Sequence, residues 1–207
     1  MIIDPAVTPR TELYPWIIRC IAPRPIAWVS TISPEGVPNL APFSFFTAIS
    51  SVPPTLVFVP GRREDTGGKK DTLLNIEATG GFVVNVVTED LAEAMNQTAT
   101  DYPHGISEFE KAGLTAVPAE RVAAPRLRES PVHFECERYE IIHVGADGVG
   151  GGSLVIGRIV LIHVDEAVLK DGKVDYDLYH PVGRLGGMDY SRTRDRFVMV
   201  RKKYKPS

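Results

Sequence analysis

The sequence contains few cysteines and no long run of apolar residues. Cys20 and Cys136 are its only cysteines, and no Cys-x-x-Cys pair occurs, so we expect neither a disulfide scaffold nor a structural zinc site. No stretch approaches the roughly eighteen consecutive apolar residues of a membrane-spanning helix. The first fifteen residues carry Asp4, Arg10, Glu12 and three prolines instead of the apolar core of a signal peptide. These absences predict a cytoplasmic protein that does not act at a membrane.

An excess of positive charge is also missing. The formal net charge is −3, whereas domains that bind nucleic acids usually have a basic bias. A solvated terminus explains the one basic run, RKKYK at 201–205, so we predict no nucleic-acid partner. The five histidines are scattered outside any His-Glu-x-x-His pattern, and no Gly-x-Ser-x-Gly occurs. We therefore predict no metal site and no hydrolytic centre.

The sequence does contain a series of short segments rich in β-branched and aromatic residues, separated by turn residues. Such segments are typical of strands, and they lie at 24–33, 37–51, 55–59, 82–87, 131–144 and 153–164. Short helices are predicted over 71–79 and 89–99. Strands joined mostly by hairpins favour a closed antiparallel barrel over a doubly wound sheet. We predict a mainly β protein with short helices, in which residues 1–207 form one domain with a C-terminal arm from about residue 166.

The segment KKDTLLNI, residues 69–76, has the composition of a phosphate-binding helix start. Lys70 precedes the predicted helix, and Asp71 and Thr72 open it. Free N–H groups, the positive end of the helix dipole, an ammonium and a hydroxyl would meet at this point, which favours a bound phosphate. Two simpler readings remain open: Asp71 as the N-cap of the helix and Lys70 as a solvated surface lysine.

Two further segments combine aromatic rings with small hydroxyls. WVSTIS (28–33) contains Ser30 and Thr31, and APFSFFTAIS (41–50) contains Ser44 and Thr47 around two phenylalanines. If the segments pair as strands, their polar groups suit the edge of a flat heteroaromatic ligand whose face is covered by the rings. Taken singly, each phenylalanine also fits the core, and each hydroxyl also fits a local bond to the backbone.

Four segments in fixed order carry a family resemblance. RPIAWVSTISPEGVPNLAPFSFFTAISSVPPTLVF, KKDTLLNIEATGGFVVNVV, SEFEKAGLT and PVGRLGGMDYS resemble the flavin reductase-like, FMN-binding split-barrel family, in particular its flavoredoxin-type branch. The resemblance covers about residues 14 to 200. It implies a homodimer of six-stranded antiparallel Greek-key split β-barrels, with FMN in a groove near the dimer interface.

The resemblance also implies which residues contact the cofactor. Residues 43–47 and the strand at 28–31 would face the isoalloxazine ring, and residues 70–72 would hold the phosphate. The implied cofactor-binding residues are Trp28, Val29, Ser30, Thr31, Ser44, Phe45, Phe46, Thr47, Lys70, Asp71 and Thr72. His104 and Arg184 are the candidates for a catalytic contact. His104 is similar to a histidine near the flavin in the flavoredoxin branch. For Arg184 two interpretations stay open: it reaches the flavin or the partner subunit, or it is a structural anchor of the C-terminal arm.

Two functions are consistent with this resemblance. The first is an FMN-dependent oxidoreductase that uses NADH or NADPH to reduce flavin or a small acceptor. The second is a non-catalytic FMN electron-transfer protein that is reduced by a partner protein. The Gly-Asp-His that serves nicotinamide binding in short-chain flavin reductases is missing, and YHPVGRLGG (179–187) stands in its place. Direct use of a nicotinamide therefore has to be tested.

Overall fold

The structure, a computed structural model, describes residues 1–204, so the last residue of the basic run at 201–205 lies outside the described residues. The strands are β1 (Ala27–Ile32), β2 (Pro38–Phe43), β3 (Phe46–Ser51), β4 (Pro54–Phe58), β5 (Gly81–Val86), β6 (Ala116–Val117), β7 (Arg126–Leu127), β8 (Val132–Val144), β9 (Gly152–Val164), β10 (Leu169–Lys170), β11 (Lys173–Val174), β12 (Val182–Arg184) and β13 (Tyr190–Arg192). The α-helices are α1 (Arg10–Cys20), α2 (Asp71–Thr79), α3 (Ala92–Gln97), α4 (Glu108–Lys111) and α5 (Tyr176–Tyr179). In this part of the chain, no helix has the length and apolar character that crossing a membrane requires.

Within residues 1–204, seven strands form one antiparallel sheet in the order β2-β1-β5-β8-β9-β4-β3. The predicted fold class, a mainly β antiparallel split barrel with short helices, is confirmed. The sheet has seven strands instead of six because the chain bends at Ser44 and Phe45, which divides the strand predicted over 37–51 into β2 and β3. These two strands are adjacent in sequence but lie at opposite ends of the strand order. The bend therefore connects the two edge strands of the sheet.

Strand β1 is buried on both faces and paired along both edges. β2 and β5 flank it in antiparallel register. Because side chains alternate along a strand, Val29 contributes to an inner hydrophobic cluster with Phe58 and Phe82, whereas Trp28 belongs to an outer cluster with Met95. The barrel interior thus lies on one side of β1, and helix α3 covers the other side.

Helix α2 closes the inner cluster with Leu73 and Ile76, one turn apart and both buried. It ends at Gly80, whose φ of +75° favours glycine. The structure corrects one prediction here. Lys70 is the N-cap residue, with extended backbone and no capping bond from its side chain, and Asp71 is the first residue inside the helix.

The residues after β9 fold back onto the start of the barrel. Arg24 and Arg184 exchange backbone N–H···O bonds of 2.9 and 2.8 Å, and Val182 packs in the outer cluster. This contact joins β12 to the segment that leads into β1. The description of the chain as one domain with a C-terminal arm stays a prediction.

Helix α1 is not predicted by the sequence patterns, and none of its residues is buried. Pro15 lies inside it, and proline disfavours a helix interior because it lacks an N–H. The Arg24 side chain holds the end of the helix by donating to the carbonyl oxygens of Ile18 and Ile21. A side chain just beyond the end of the helix therefore stabilises a helix that the propensity of its own residues does not favour.

The two cysteines lie in different environments. Cys20, the last residue of α1, is exposed, whereas Cys136 is buried in the inner cluster. Burial raises the pKa of the Cys136 thiol. Both side chains are free thiols.

Candidate cofactor site

A cleft of about 710 Å³ lies where three parts of the chain meet: helix α1, the bend between β2 and β3, and the hairpin loop at 145–151. Its walls are mostly apolar or backbone, formed by Leu13, Tyr14, Ile17, Pro42, Phe43, Ser44, Phe45, Val59, Gly61, Gly150, Gly151 and Leu154. The volume falls within the range of about 300–1,000 Å³ that is usual for sites of small molecules and cofactors.

Basic side chains dominate the polar part of this cleft. Arg10, Arg62 and Lys70 line it, against the single carboxylate of Glu64. Arg62 is nearly buried, with 11% of its side chain exposed, and one of its Nη atoms donates to Asp147 at 2.6 Å. Its Nε is buried and has no hydrogen-bond partner within residues 1–204. A buried donor without an acceptor is costly, so this end of the cleft favours an anionic ligand.

A second cavity, of about 120 Å³, adjoins the cleft at the start of α2. The two cavities share Lys70 and Gly61. Lys70 Nζ lies 2.8 Å from Asp101 Oδ1 at this junction. Thr72 is buried, and its hydroxyl accepts a 3.0 Å hydrogen bond from Asn39. The junction thus brings together the ammonium, the hydroxyl and the helix start that the sequence predicts.

Asp71 also lines the smaller cavity, and its carboxylate lies next to basic side chains. Its Oδ1 lies 3.1 Å from His104 Nδ1 and 4.0 Å from an Arg63 nitrogen. His104 is 70% exposed in its side chain and lines neither of the two cavities. The predicted catalytic candidate His104 therefore contacts a residue at the helix start and does not face the cleft.

A buried carboxyl lies on the far side of the smaller cavity. Glu108 accepts a 2.9 Å bond from the backbone N–H of Leu40, and burial raises the pKa of its carboxyl. This contact ties α4 to β2.

The fold places the four predicted contact residues from Ser44 to Thr47 in different environments. Ser44 and Phe45 line the cleft, and the Ser44 hydroxyl accepts from Arg24 Nε at 3.2 Å. Phe46 is partly buried against the inner cluster. Thr47 is exposed on β3, where its hydroxyl donates to the Ala48 carbonyl. Only the first two of these four predicted contacts lie at the cleft.

The structure contradicts the predicted contact of Trp28, Val29, Ser30 and Thr31 side chains with a cofactor. All four are 0% exposed, because β1 lies between two hydrophobic clusters. Their polar atoms bond inside the protein: Trp28 Nε1 to Thr98 at 2.8 Å, Ser30 to backbone carbonyls, and Thr31 with the amide of Asn75 at 3.0 Å. No face of these side chains remains for a ligand.

Arg184, the second catalytic candidate, lines a separate cavity that shares Phe43 and Ser44 with the cleft. Its guanidinium lies over the Tyr190 ring, 4.3 Å from the centroid. Arg184 is therefore adjacent to the cleft without lining it. No group of three or more His, Cys, Asp or Glu side chains that could hold a metal ion occurs in residues 1–204.

Sequence reasoning missed two walls of the cleft. Helix α1 is one, because Pro15 obscures a pattern in which Leu13, Tyr14 and Ile17 fall on one face. The other is the hairpin loop, which is predicted only as a connection. Its glycines are a usable signal: a Cβ on Gly151 would lie 1.9 Å from the Ala146 oxygen, so the loop requires a residue without a side chain.

Three known proteins resemble the chain over nearly its whole length. An uncharacterized protein of Aquifex aeolicus is 42% identical over 184 residues, which is 88% of this chain and 91% of that one. The crystal structure of nitrilotriacetate monooxygenase component B from Bacillus cereus has a TM-score of 0.91 at 32% identity and covers 96% of this chain and 98% of its own. The 2-nitrobenzoate 2-nitroreductase NbaA of Pseudomonas fluorescens has a TM-score of 0.86 at 34% identity, covering 100% and 99%.

The match to a protein family covers most of the chain. The sequence pattern of the family described as "Flavin reductase like domain" matches residues 18–184. This range runs from the end of α1, through the whole seven-stranded sheet, to the last residue of β12. The chain therefore belongs to the flavin reductase-like split-barrel family, as its sequence motifs predict.

Proposed function

We propose that the protein is an FMN-binding oxidoreductase of the flavoredoxin type, which takes electrons from NADH or NADPH and reduces flavin or a small acceptor. The observation that carries this proposal is the cleft of about 710 Å³, which combines apolar walls with a basic end. A flavin nucleotide needs both features, because its ring system is flat and largely apolar and its tail is anionic. Family membership and the likeness to a monooxygenase component and a nitroreductase support the oxidoreductase class.

The phosphate would be held where the two cavities meet. Lys70 and Arg62 supply positive charge, and the unpartnered Nε of Arg62 supplies a donor that lacks an acceptor. From the other side, Thr72 and the backbone of the first turn of α2 line the smaller cavity. This arrangement supports the role predicted for residues 70–72, with the Asp71 contribution limited to its backbone.

The ring system would lie along the bend between β2 and β3. The Phe45 carbonyl accepts a 2.9 Å bond from the N–H of Val59, which fixes the backbone of the bend before a ligand arrives. The Ser44 hydroxyl and the half-exposed Phe45 ring are then available at the cleft. Fixed polar groups of this kind orient a cofactor without further reorganisation.

A bound flavin would supply the redox chemistry, since it accepts hydride and releases electrons in one- or two-electron steps. The chain would bind and orient this group and limit the access of water through the walls formed by α1 and the hairpin loop. The two carboxylates nearest the junction, Asp71 and Asp101, are each engaged with a basic partner. We therefore assign no side chain of the cleft as a catalytic acid or base.

Three further properties belong to this proposal. We expect a homodimer, since β3 is an edge strand whose side chains are mostly exposed, among them Ile49 at 50%. We expect the protein to act in the cytoplasm. We also expect the partner in the reaction to be a small molecule or a redox protein, with neither a nucleic acid nor a membrane involved.

Anaerobic titration tests the proposed activity. The purified protein is loaded with FMN, and the visible absorbance of the oxidised flavin is followed while NADH or NADPH is added. Bleaching by either nicotinamide supports the reductase. Failure of the protein to bind added FMN removes the proposal altogether.

The same titration distinguishes the second function, a non-catalytic electron-transfer protein. This alternative is favoured by the missing Gly-Asp-His, since YHPVGRLGG (179–187) occupies that part of the sequence. It predicts that dithionite or a reduced partner protein bleaches bound FMN whereas both nicotinamides fail. The two functions therefore give opposite results with the same sample.

A further inference from the structure

A cavity beside the proposed cofactor cleft contains two arginines. It measures about 230 Å³, and we call it the arginine pocket, defined by Tyr14, Arg24, Phe43, Ser44, Arg184 and Tyr190 in its lining. Tyr14, Phe43 and Ser44 also line the cleft. A molecule in the arginine pocket would therefore lie directly beside a ligand in the cleft.

The positive charge of the arginine pocket is not balanced by the protein. In residues 1–204, no Asp or Glu lines the pocket, and no carboxylate lies within 4.0 Å of either arginine. Burial is the main cause that lowers the pKa of Arg24; the neighbouring Tyr14 opposes this shift, and the charge of Arg184 adds to it. Like charges without a counter-ion repel each other, and a bound anion would relieve this repulsion.

The two arginines have different roles. Arg24 is 6% exposed, and its side chain donates to Ile18, Ile21, Ser44 and Leu185. Its bonding capacity is used to join α1, the bend and the end of β12. Arg24 thus contributes charge to the pocket and fixes its walls.

Arg184 keeps donors available. Within residues 1–204, its side chain makes one hydrogen bond, from Nη2 to the Gly187 carbonyl. Its guanidinium carbon lies over the Tyr190 ring, 4.3 Å from the centroid. A planar guanidinium held in place is suited to bind a carboxylate through two parallel N–H···O bonds.

The remaining walls favour an aromatic body for the ligand. Tyr14, Phe43 and Tyr190 surround the space, together with the aliphatic Ile18 and Ile26. A volume of about 230 Å³ exceeds the roughly 150 Å³ of an engineered protein cavity that holds benzene, and it leaves room for a ring with one substituent group. A dinucleotide would not fit in this space.

We infer that the arginine pocket binds a small aromatic carboxylic acid, with its carboxylate on Arg184 and its ring between Phe43 and Tyr190. This inference rests on the proposed function in one respect: the bound acid would lie beside the flavin. The binding itself requires only the pocket.

Isothermal titration calorimetry on the full chain tests the inference, with benzoate as the anionic probe and benzamide as its uncharged counterpart. Arg184→Gln removes the charge and keeps an amide donor. Arg128→Gln is the control, because Arg128 is exposed and lines none of these cavities. We expect Arg184→Gln to weaken benzoate binding at least about tenfold, with Arg128→Gln unchanged and benzamide bound more weakly than benzoate in the wild type.

Two results would overturn the inference: equal affinity of wild type and Arg184→Gln for benzoate, or equal affinity of the wild type for benzoate and benzamide. Circular dichroism and FMN titration of Arg184→Gln show whether the variant is folded and keeps the cofactor cleft. If the wild type binds FMN but not benzoate, the inference about the arginine pocket is wrong and the proposed function is unaffected. If the wild type binds benzoate in an Arg184-dependent manner but does not bind FMN, the inference stands and the proposed function is wrong.

Discussion

A buried histidine makes the stability of the fold depend on pH. His133 is 6% exposed on β8, and its Nδ1 lies 2.9 Å from Asn85 Oδ1. Asn85 Oδ1 also accepts from the N–H of Leu127, while its amide nitrogen donates to the carbonyl of Trp28. The Asn85 oxygen is thus an acceptor, so we assign the neutral His133 ring the tautomer that is protonated on Nδ1 and unprotonated on Nε2.

Protonation of this ring is unfavourable in the folded protein. Burial, and then the charges of Arg126 and His163, lower the pKa of His133 to about 4, compared with about 6.5 for histidine in an unfolded chain. Between these values the unfolded state binds one more proton. The free energy of unfolding therefore falls by about 1.4 kcal/mol for each pH unit as the pH decreases from about 6.5 to about 4, or about 3 kcal/mol in total.

Urea unfolding at a series of pH values between about 4 and 8, followed by circular dichroism, measures this dependence. We expect His133→Gln, whose amide can still donate to Asn85, to flatten the slope between about pH 4 and 6.5. The matched control is His143→Gln, which changes an exposed histidine on the same strand. If His133→Gln retains the wild-type slope, the tautomer and burial argument is refuted.

Three further predictions address the proposed site and the core. Lys70→Ala should weaken FMN binding in a fluorescence titration by about 1.5–3 kcal/mol, the range for hydrogen bonds to charged groups. Lys69→Ala is its control, because Lys69 pairs with Glu77 and lies outside the cleft. Equal FMN affinities of the wild type and Lys70→Ala would show that Lys70 is not part of the site. Asp101→Asn should strengthen FMN binding up to about fivefold, because it releases Lys70 from an ion pair of 2.8 Å. Partly exposed ion pairs contribute at most about 1 kcal/mol, which sets this limit. Weaker FMN binding by the variant would contradict the prediction. Phe58→Ala should reduce the free energy of unfolding by about 3–5 kcal/mol, because Phe58 is fully buried between Phe43 and Phe82; the half-exposed Phe45→Ala should cost much less in the same urea assay.

The barrel could be predicted because its strands carry local signals. The segment FVVNVV contains β-branched residues and ends at glycines on one side, and it forms β5 close to the predicted bounds. The hairpin formed by β8 and β9 follows from two long β-rich segments around a glycine-rich loop. In both cases neighbouring residues decide the structure, so the sequence contains the information.

The burial of β1 could not be predicted from its own residues. Ser30 and Thr31 place one hydroxyl on each face of the strand. The 124–127 segment and Asn85 cover Ser30 on one face, and Asn75 of α2 bonds to Thr31 on the other. The sequence alone does not distinguish a hydroxyl that bonds to a distant residue of the chain from a hydroxyl that binds a ligand. The predicted cofactor contacts on β1 failed for this reason.

The cleft was only half predictable. Lys70 and Ser44 lie in local motifs, and the structure places both at the same cavity. Arg62 gave no local signal, because a loop arginine becomes informative only when the fold buries its Nε without a partner. Helix α1 was missed because its stability depends on the bonds from Arg24 to its last turn.

The contrast between the two thiols gives the protein a built-in attachment point. Only a deprotonated sulfur reacts readily with a maleimide, so the enclosed Cys136 should stay unmodified while Cys20 takes up a dye under native conditions. A fluorophore on Cys20 would lie at the end of helix α1, which lines the proposed cofactor cleft. Its emission could then report ligand entry in real time, without any engineered residue and without relying on the colour of the cofactor.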